Sequence, residues 1–198
     1  VQRINVDGRG DLIGEFRGED RLLIISQTGI IKTIIPDVSS HFNDDMVVLE
    51  KWIPNKPISA VYFDGAKERY FIKRFLIENE SKEEVFITSH KSSRLEIIST
   101  DWRPVIDITF AKERGKERRP NKIISIEEFI NIKGISAQGN QLSKYKVNQI
   151  DLSESLPYEA PKTIPADDIE VIDEEEVNNN LRNGDQKDLN SEGQIKLF

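Results

Sequence analysis

The most constraining feature of this chain is a repeated pattern in which a Trp and a Pro precede a short alternating strand that ends in Phe. The first copy is PISAVYF (residues 57–63), shortly after Trp52, and the second is PVIDITF (residues 104–110), shortly after Trp102. The copies start 47 residues apart, and each is followed by a charged loop and a second apolar run. A unit that recurs at this period indicates a propeller-like or solenoid array, in which each unit buries its faces against its neighbours.

The other apolar runs favour an all-β body, because Val, Ile, Thr and aromatic residues dominate them. Turn residues at 27–29 predict a hairpin between runs 22–26 and 30–35, and Asp64-Gly65 predicts one between 57–63 and 69–75. A strand is expected at 46–52. We also expect run 84–89 to pair with 94–99, and run 104–110 to pair with 122–126. Residues 125–132 carry a Ser-x-x-Glu capping pattern, but a strand or irregular edge is favoured there over a helical turn.

The charge distribution separates two parts of the chain. Residues 1–150 carry 24 basic and 22 acidic residues, whereas the residues from 151 onward carry 4 basic and 13 acidic residues. A Pro-containing stretch opens the second part, which is Asn-rich and poor in aromatics, so it cannot bury enough surface to offset the entropy of ordering. The predicted organisation is an ordered domain over residues 1–152 and an acidic, largely disordered tail over residues 153–198.

Several functions are excluded by residue usage. The chain has no Cys and only two His, so disulfides, thiol chemistry and Cys-ligated zinc are excluded. No apolar run approaches the roughly 18 residues of a membrane span, and no signal peptide opens the sequence. No Ser/His/Asp grouping indicates catalysis. We interpret the chain as a non-catalytic, cytoplasmic piece of a longer protein, with no membrane partner and no cofactor of its own.

Three segments resemble a known family: DLIGEFRGEDRLLIISQTGIIKT (11–33), PISAVYFDGAKERYFIKRF (57–75) and KGISAQGNQLSKYKV (133–147). Over residues 1 to about 150 the chain resembles the C-terminal domain of the A subunit of bacterial type IIA topoisomerases, that is, topoisomerase IV and gyrase. The resemblance implies a β-pinwheel of four-stranded blades whose basic rim binds and bends duplex DNA. At roughly 50 residues per unit about three blades are expected, which is an incomplete disc.

The resemblance also implies properties of the parent protein. The gyrase wrapping box, Gln-Arg-Arg-Gly-Gly-Lys-Gly, is absent, and the segment between Ile35 and Leu49 is acidic, which favours the topoisomerase IV A subunit. The parent is then an isomerase that works with a topoisomerase B subunit, ATP and Mg, and whose catalytic Tyr lies in another domain. A nucleoid-associated location in the cytoplasm follows from this role.

The predicted DNA-binding residues are cations in three groups. The densest group lies in a loop, and phosphate contacts by such a loop each add roughly 0.9 to the salt slope of the binding constant; an ordinary solvated hairpin is the alternative. The second group lies in RYFIKRF, whose aromatics are expected in the core, and the third extends the basic surface around the rim. The groups are Lys112, Arg114, Lys116, Arg118, Arg119 and Lys122; Arg69, Lys73 and Arg74; and Arg94, Lys133, Lys144 and Lys146.

Two hypotheses concern the tail and a rival function. The acidic tail is expected to compete with DNA for the basic rim, since carboxylates within a Debye length lower the local potential. Gln194, Leu197 and Phe198 resemble the short peptide by which bacterial replication proteins dock on the sliding clamp. The alternative function is a propeller-like protein-interaction module, with this peptide docking on the clamp.

Overall fold

The computed structural model describes residues 2–4, 11–80, 82–115 and 117–159 of the chain. Two compact units divide the chain, Val1–Tyr158 and Glu159–Phe198. The first unit contains all the helices and strands given below. The predicted tail disorder and the terminal peptide fall on residues 160–198, which lie outside the described residues.

The regular secondary structure of the described residues is almost entirely β, so the predicted all-β fold class is confirmed. The strands, numbered along the chain, are β1 Gln2–Arg3, β2 Leu22–Ser26, β3 Ile30–Ile34, β4 His41–Phe42, β5 Met46–Lys51, β6 Ile58–Asp64, β7 Arg69–Phe75, β8 Glu84–Val85, β9 Arg94–Ser99, β10 Val105–Phe110, β11 Lys122–Ser125, β12 Asn140–Gln141 and β13 Val147–Ser153; α1 is Ile126–Phe129.

Three antiparallel sheets follow one rule of assembly. Each sheet is built on a hairpin, and the next long strand of the chain pairs with the first strand of that hairpin. We call the sheets the first blade (β5-β2-β3-β8), the second blade (β12-β7-β6-β9) and the third blade (β11-β10-β13). The predicted hairpins β2–β3, β6–β7 and β10–β11 are all present.

The fourth strand of a blade comes from the following repeat. β8 pairs with β3 and β12 pairs with β7, although each lies beyond the next hairpin in sequence. Each crossing strand ends at a buried apolar residue: the Phe86 N–H donates to the Gly29 carbonyl at 3.0 Å, and the Leu142 N–H donates to the Tyr70 carbonyl at 2.9 Å. Neighbouring blades are therefore joined by backbone hydrogen bonds as well as by side chains. β4 pairs with β1 in a separate two-stranded sheet.

The predicted pairing of runs 84–89 and 94–99 is wrong. β8 pairs with the first blade, whereas β9 pairs with β6 of the second. Phe86 follows β8 and lies in the core between the two blades, with its ring 5.3 Å from that of Phe75. Burial of this large aromatic side chain favours the crossing over a local hairpin.

The predicted strand or irregular edge at residues 125–132 is also wrong, because Ile126–Phe129 forms a helical turn. The capping pattern is not its cause, since the Ser125 side chain makes no capping hydrogen bond. Ile126 and Ile130 are both buried in one core cluster, and one helical turn places residues four apart on the same side. Apolar spacing therefore determines the helix.

The core lies between the blades. Leu23 and Ile25 of the first blade share a cluster with Ile58 and Ala60 of the second. Val61 of the second blade shares another with residues of the third. Because successive strand residues point to opposite faces, the first two blades are apolar on both sides. This explains why β2 and β6 read as nearly continuous buried runs.

The far face of the third blade is different. Asp107 and Thr109 lie on it, and Ile123 there is 73% exposed. This face is therefore more polar than the two sides of the first and second blades, which pack into apolar clusters.

The compact unit extends past the predicted domain boundary at residue 152. β13 runs from Val147 to Ser153, and the chain beyond it remains attached. The Tyr158 ring stacks on Trp102 at 4.2 Å, and Arg103 Nη1 donates to the Pro157 carbonyl at 3.0 Å. These contacts place the end of the folded body at Tyr158.

Candidate nucleic-acid interface

The loop between β10 and β11 carries the densest group of the predicted cations. Lys112, Arg114 and Arg118 are exposed on it. Gly115 has a φ of 77° with open space around it, so the loop turns there in a conformation that glycine adopts without strain. Lys116 lies outside the described residues. A turning, solvated loop can follow a phosphate backbone without reading sequence.

A groove of about 620 Å³ lies at the base of this loop, between β11, α1 and the segment after β12. We call it the third-blade groove. Its floor is apolar, and three predicted cations lie at its rim: Arg119, Lys122 and Lys144. No Asp or Glu is among the residues that line it. The groove therefore combines an apolar surface with a local excess of positive charge.

Aromatic rings hold these cations in place. The Arg119 guanidinium lies over the Tyr145 ring at 3.5 Å, and Lys144 Nζ is 5.2 Å from the same ring centre. Lys122 Nζ is 5.9 Å from the Phe129 ring. Tyr145 is itself fixed edge-on against Phe110. Cation–π contacts orient the charges without neutralising them.

No salt bridge among the described residues involves a cation of this region. We call the described basic residues of the β10–β11 loop, of β11 and of the segment between β12 and β13 the third-blade cations. All of them except the half-buried Arg119 are exposed. The third-blade cations are Lys112, Arg114, Arg118, Arg119, Lys122, Lys144 and Lys146.

In the first blade, by contrast, lysines form ion pairs with carboxylates. A groove of about 320 Å³ there is lined by Lys32, Asp45 and Glu83 among others, and Lys32 Nζ pairs with Glu83 at 3.1 Å. Lys51 pairs with Asp20 at 2.6 Å, and this hydrogen bond lowers the pKa of the Asp20 carboxyl. The cations of this blade are neutralised by carboxylates of the same chain.

A family model described as the topoisomerase C-terminal domain of Bacteroidota matches residues 3–154. The chain belongs to this family. The match includes all three blades, so the predicted resemblance to a topoisomerase C-terminal domain is confirmed at the family level, and DNA is the partner that membership implies. No curated protein and no solved structure matches the chain significantly.

Lys73 of this topoisomerase domain does not belong to its basic surface, contrary to the prediction. The side chain is 4% exposed, and Nζ donates to the carbonyls of Phe86 and Ile135 at 2.6 Å each. Burial lowers the pKa of Lys73 to about 8. The crossing segment after β8 and the segment before β12 cover this lysine, so it joins three parts of the core and cannot reach a phosphate.

Arg74 is the second correction. It is 8% exposed, lies 3.5 Å from Glu127, and donates to the Trp102 carbonyl at 3.3 Å. Strand β7 lies between β6 and β12, so it is an inner strand of its sheet. The guanidinium therefore attaches the second blade to α1 and to the start of the third repeat.

The remaining predicted cations are exposed. Arg94 lies over the Phe63 ring at 4.5 Å and pairs with Glu96, so its charge is partly neutralised. Lys133 Nζ donates to Asn140 Oδ1 at 2.8 Å. Arg69 is exposed at the start of β7. These residues are spread over the second and third repeats rather than gathered in one groove.

The terminal peptide formed by Gln194, Leu197 and Phe198 lies outside the described residues, so its predicted docking role stays a prediction. The predicted roles of the tail and of Lys116 also stay predictions, because residues 160–198 and Lys116 lie outside the described residues.

Sequence reasoning missed the aromatic lining of the third-blade groove. Tyr145 stands between Lys144 and Lys146, which is the interleaving that nucleic-acid surfaces often show. Phe129 gave no comparable indication, because it reaches the groove only through the helical turn.

Metal and membrane chemistry find no support in the part of the chain that is described. No cluster of three or more His, Cys, Asp or Glu residues there could hold a metal ion. No helix in that part has the length and apolarity to cross a membrane.

Proposed function

We propose that this domain binds duplex DNA through the third-blade cations and holds or bends it for the strand-passage core of a topoisomerase IV A subunit. The observation that carries the proposal is the contrast in neutralisation. First-blade cations are paired with carboxylates, whereas the third-blade cations face solvent without such partners among the described residues. When unpaired lysine and arginine side chains contact phosphates, they displace the counterions that are condensed on the DNA. The release of these counterions supplies non-specific DNA affinity.

Local composition supports the same location. Residues 105–153 contain nine basic and six acidic residues, whereas residues 11–51 contain four basic and eight acidic residues. A duplex is therefore attracted to the third blade and repelled by the first.

Duplex binding is tested by fluorescence anisotropy over a salt series. Three substitutions, Lys112→Gln, Arg114→Gln and Arg118→Gln, are expected to lower affinity about tenfold or more at 0.1 M salt and to reduce the salt slope by roughly 2.7. The matched control removes three lysines elsewhere, with Lys56→Gln, Lys82→Gln and Lys91→Gln. Equal losses in both triple variants would show that net charge, and not the third blade, determines binding.

The finer assignment to topoisomerase IV, as opposed to gyrase, rests on the absent wrapping box and the acidic segment between Ile35 and Leu49. We expect the domain to bind relaxed circular DNA without wrapping it. Relaxation of the bound plasmid by a type I topoisomerase should therefore leave its linking number unchanged, and a shift that scales with bound protein would indicate gyrase-type wrapping.

The parent protein is proposed to be a cytoplasmic, nucleoid-associated isomerase that works with a topoisomerase B subunit, ATP and Mg held by other domains.

Sliding-clamp docking by residues 194–198 is a separate proposal. A labelled peptide of this sequence should bind purified clamp and lose binding on Leu197→Ala; absence of binding by the native peptide rejects it.

A further inference from the structure

We propose that the third-blade groove binds an unstacked nucleotide of single-stranded DNA, with the base in the groove and the flanking phosphates on its rim. The proposal shares rim cations with the proposed duplex function and rests on it for the location of the phosphates. It adds a base-binding surface that duplex binding does not require.

The floor of the groove is unnecessary for a duplex. The outermost groups of a duplex are phosphates and sugars, and its bases lie stacked inside. Ile108, Phe110 and Leu142 lie in a concavity of about 620 Å³, a volume in the range of small-molecule sites. A single strand can turn one base into such a concavity, because the base is not paired.

The rim has the chemistry of a single-strand site. Such sites combine a positive channel for the backbone with aromatic or guanidinium planes on which bases stack. Arg119 lies over Tyr145 at 3.5 Å, which presents a guanidinium supported from below by a ring. Lys122 and Lys144 also line the groove and supply ammonium groups for the adjacent phosphates. The absence of Asp and Glu from the lining also disfavours ligands that bring cations.

The first test compares two ligands on the unaltered full chain. A twelve-nucleotide oligothymidylate and an abasic strand of the same length carry the same phosphates, but only the first carries bases. We expect the abasic strand to bind about tenfold more weakly, because each stacked base contributes a gain of that order. Equal affinities would overturn the proposal while leaving the duplex function intact.

The second test locates the base. A 2-aminopurine placed in the oligothymidylate should be quenched on binding, and Phe129→Leu should reduce single-strand affinity about fivefold to tenfold, with a smaller loss of duplex affinity. The control is Phe63→Leu, since Phe63 also lies under a cation, Arg94, but outside the groove. Equal effects of the two variants would overturn the proposal.

The third test separates charge from planarity. Arg119→Lys keeps the charge and loses the guanidinium plane, so we expect about tenfold weaker oligothymidylate binding, whereas the exposed neighbour variant Arg118→Lys changes it less than twofold.

If a labelled acidic peptide with Leu and Phe side chains binds and responds to these variants while oligothymidylate does not, the groove is a peptide site and the proposal fails. Absence of duplex binding by the unaltered chain in the anisotropy series would instead reject the proposed function.

Discussion

Lys32 in the first blade and Lys122 in the third occupy equivalent positions. In both blades the first hairpin strand has a bulge against its outer neighbour, between Ile25 and Ser26 in β2 and between Thr109 and Phe110 in β10. Superposing the bulges aligns Ile24 with Ile108, and their hairpin partners are Lys32 and Lys122.

The surroundings of the two lysines differ in sign. Backbone hydrogen bonds from Gln27 to Asp45 and from Ala111 to Lys146 also coincide, so an Asp in the first blade stands where the third blade has a Lys. Lys32 is paired with Glu83, whereas Lys122 rests beside a phenyl ring.

The second blade supplies a third case. Its bulge lies between Val61 and Tyr62, and the same alignment places Lys73, the partner of Ala60, at the position of Lys32 and Lys122. Here the ammonium is buried on two carbonyls. One position of the repeat thus carries an ion-paired lysine, a buried structural lysine, and a solvent-exposed lysine with no salt bridge among the described residues, so the state of each lysine depends on what surrounds it.

The largest expected effect concerns the structural cation. The folded-state pKa of Lys73 is about 8, below its unfolded value of about 10.4. Between these values the unfolded chain holds a proton that the folded chain has released, so stability rises with pH, by up to about 3 kcal/mol. Chemical denaturation at a series of pH values should show this rise, and Lys73→Met should abolish it. The same slope in that variant would contradict the assignment.

A second titratable group, the phenol of Tyr62, sets the upper limit of the pH range over which stability rises. Burial and, secondarily, the nearby Asp64 raise the pKa of Tyr62 to about 12, above its ordinary value of 10.0. Between pH 10 and 12 the folded chain therefore keeps a proton that the unfolded chain loses, and stability falls again. The combined profile should peak near pH 10.

The next effect distinguishes the equivalent lysines directly. Lys122→Glu should lower duplex affinity about tenfold or more at 0.1 M salt, because a phosphate contact becomes a repulsion. Lys32→Glu, with the same change in net charge, should alter it less than twofold. Both are measured by anisotropy, and a similar loss in the two variants would remove the distinction between the blades.

A smaller effect is expected from the tail. Residues 160–198 contain ten acidic and four basic residues, and their carboxylates are expected to compete with phosphates for the third-blade cations. A chain ending at Glu159 should bind duplex about fivefold more tightly at low salt, and the gain should vanish as salt screens the tail. Unchanged or weaker affinity would count against competition. The truncation belongs after Tyr158, since a cut at residue 152 would remove part of β13.

The smallest effect comes from making the first blade resemble the third. Asp45→Lys places a cation where the third blade has Lys146, and Glu83→Gln frees Lys32 from its ion pair. The double variant should bind duplex about threefold more tightly, because it adds phosphate contacts to the weaker blade. No gain would indicate that the shape of the third blade matters as much as its charge.

The long strands and their hairpins could be predicted from sequence because their signals are local. Alternation, β-branched residues and turn residues identify β2–β3, β6–β7 and β10–β11 with nearly correct ends. The pairing partners of β8 and β12 could not be assigned, since each strand is two residues long and pairs with a strand of the preceding repeat. A nearby hairpin partner is the default expectation, and only the burial of Phe86 and Leu142 overrides it.

The candidate site was predictable only in part, because some of its features are local in sequence and others depend on the fold. A cation-rich loop can be found in a sequence, but burial of a cation depends on which strands cover it. RYFIKRF reads as a mixed surface, yet β12 and the segment after β8 enclose Lys73. The groove likewise needs Phe129 and Tyr145 from separate segments, which only the fold brings together.

Lysine footprinting of the full chain tests most directly whether DNA lies on the third blade. The protein is acetylated with and without a 30-base-pair duplex at low salt, and modified lysines are quantified by mass spectrometry. We predict that Lys112, Lys122, Lys144 and Lys146 become protected, that Lys32 and Lys51 do not change, and that Lys73 reacts poorly in both samples. Protection of Lys32 and Lys51 with no change at the third blade would contradict the account.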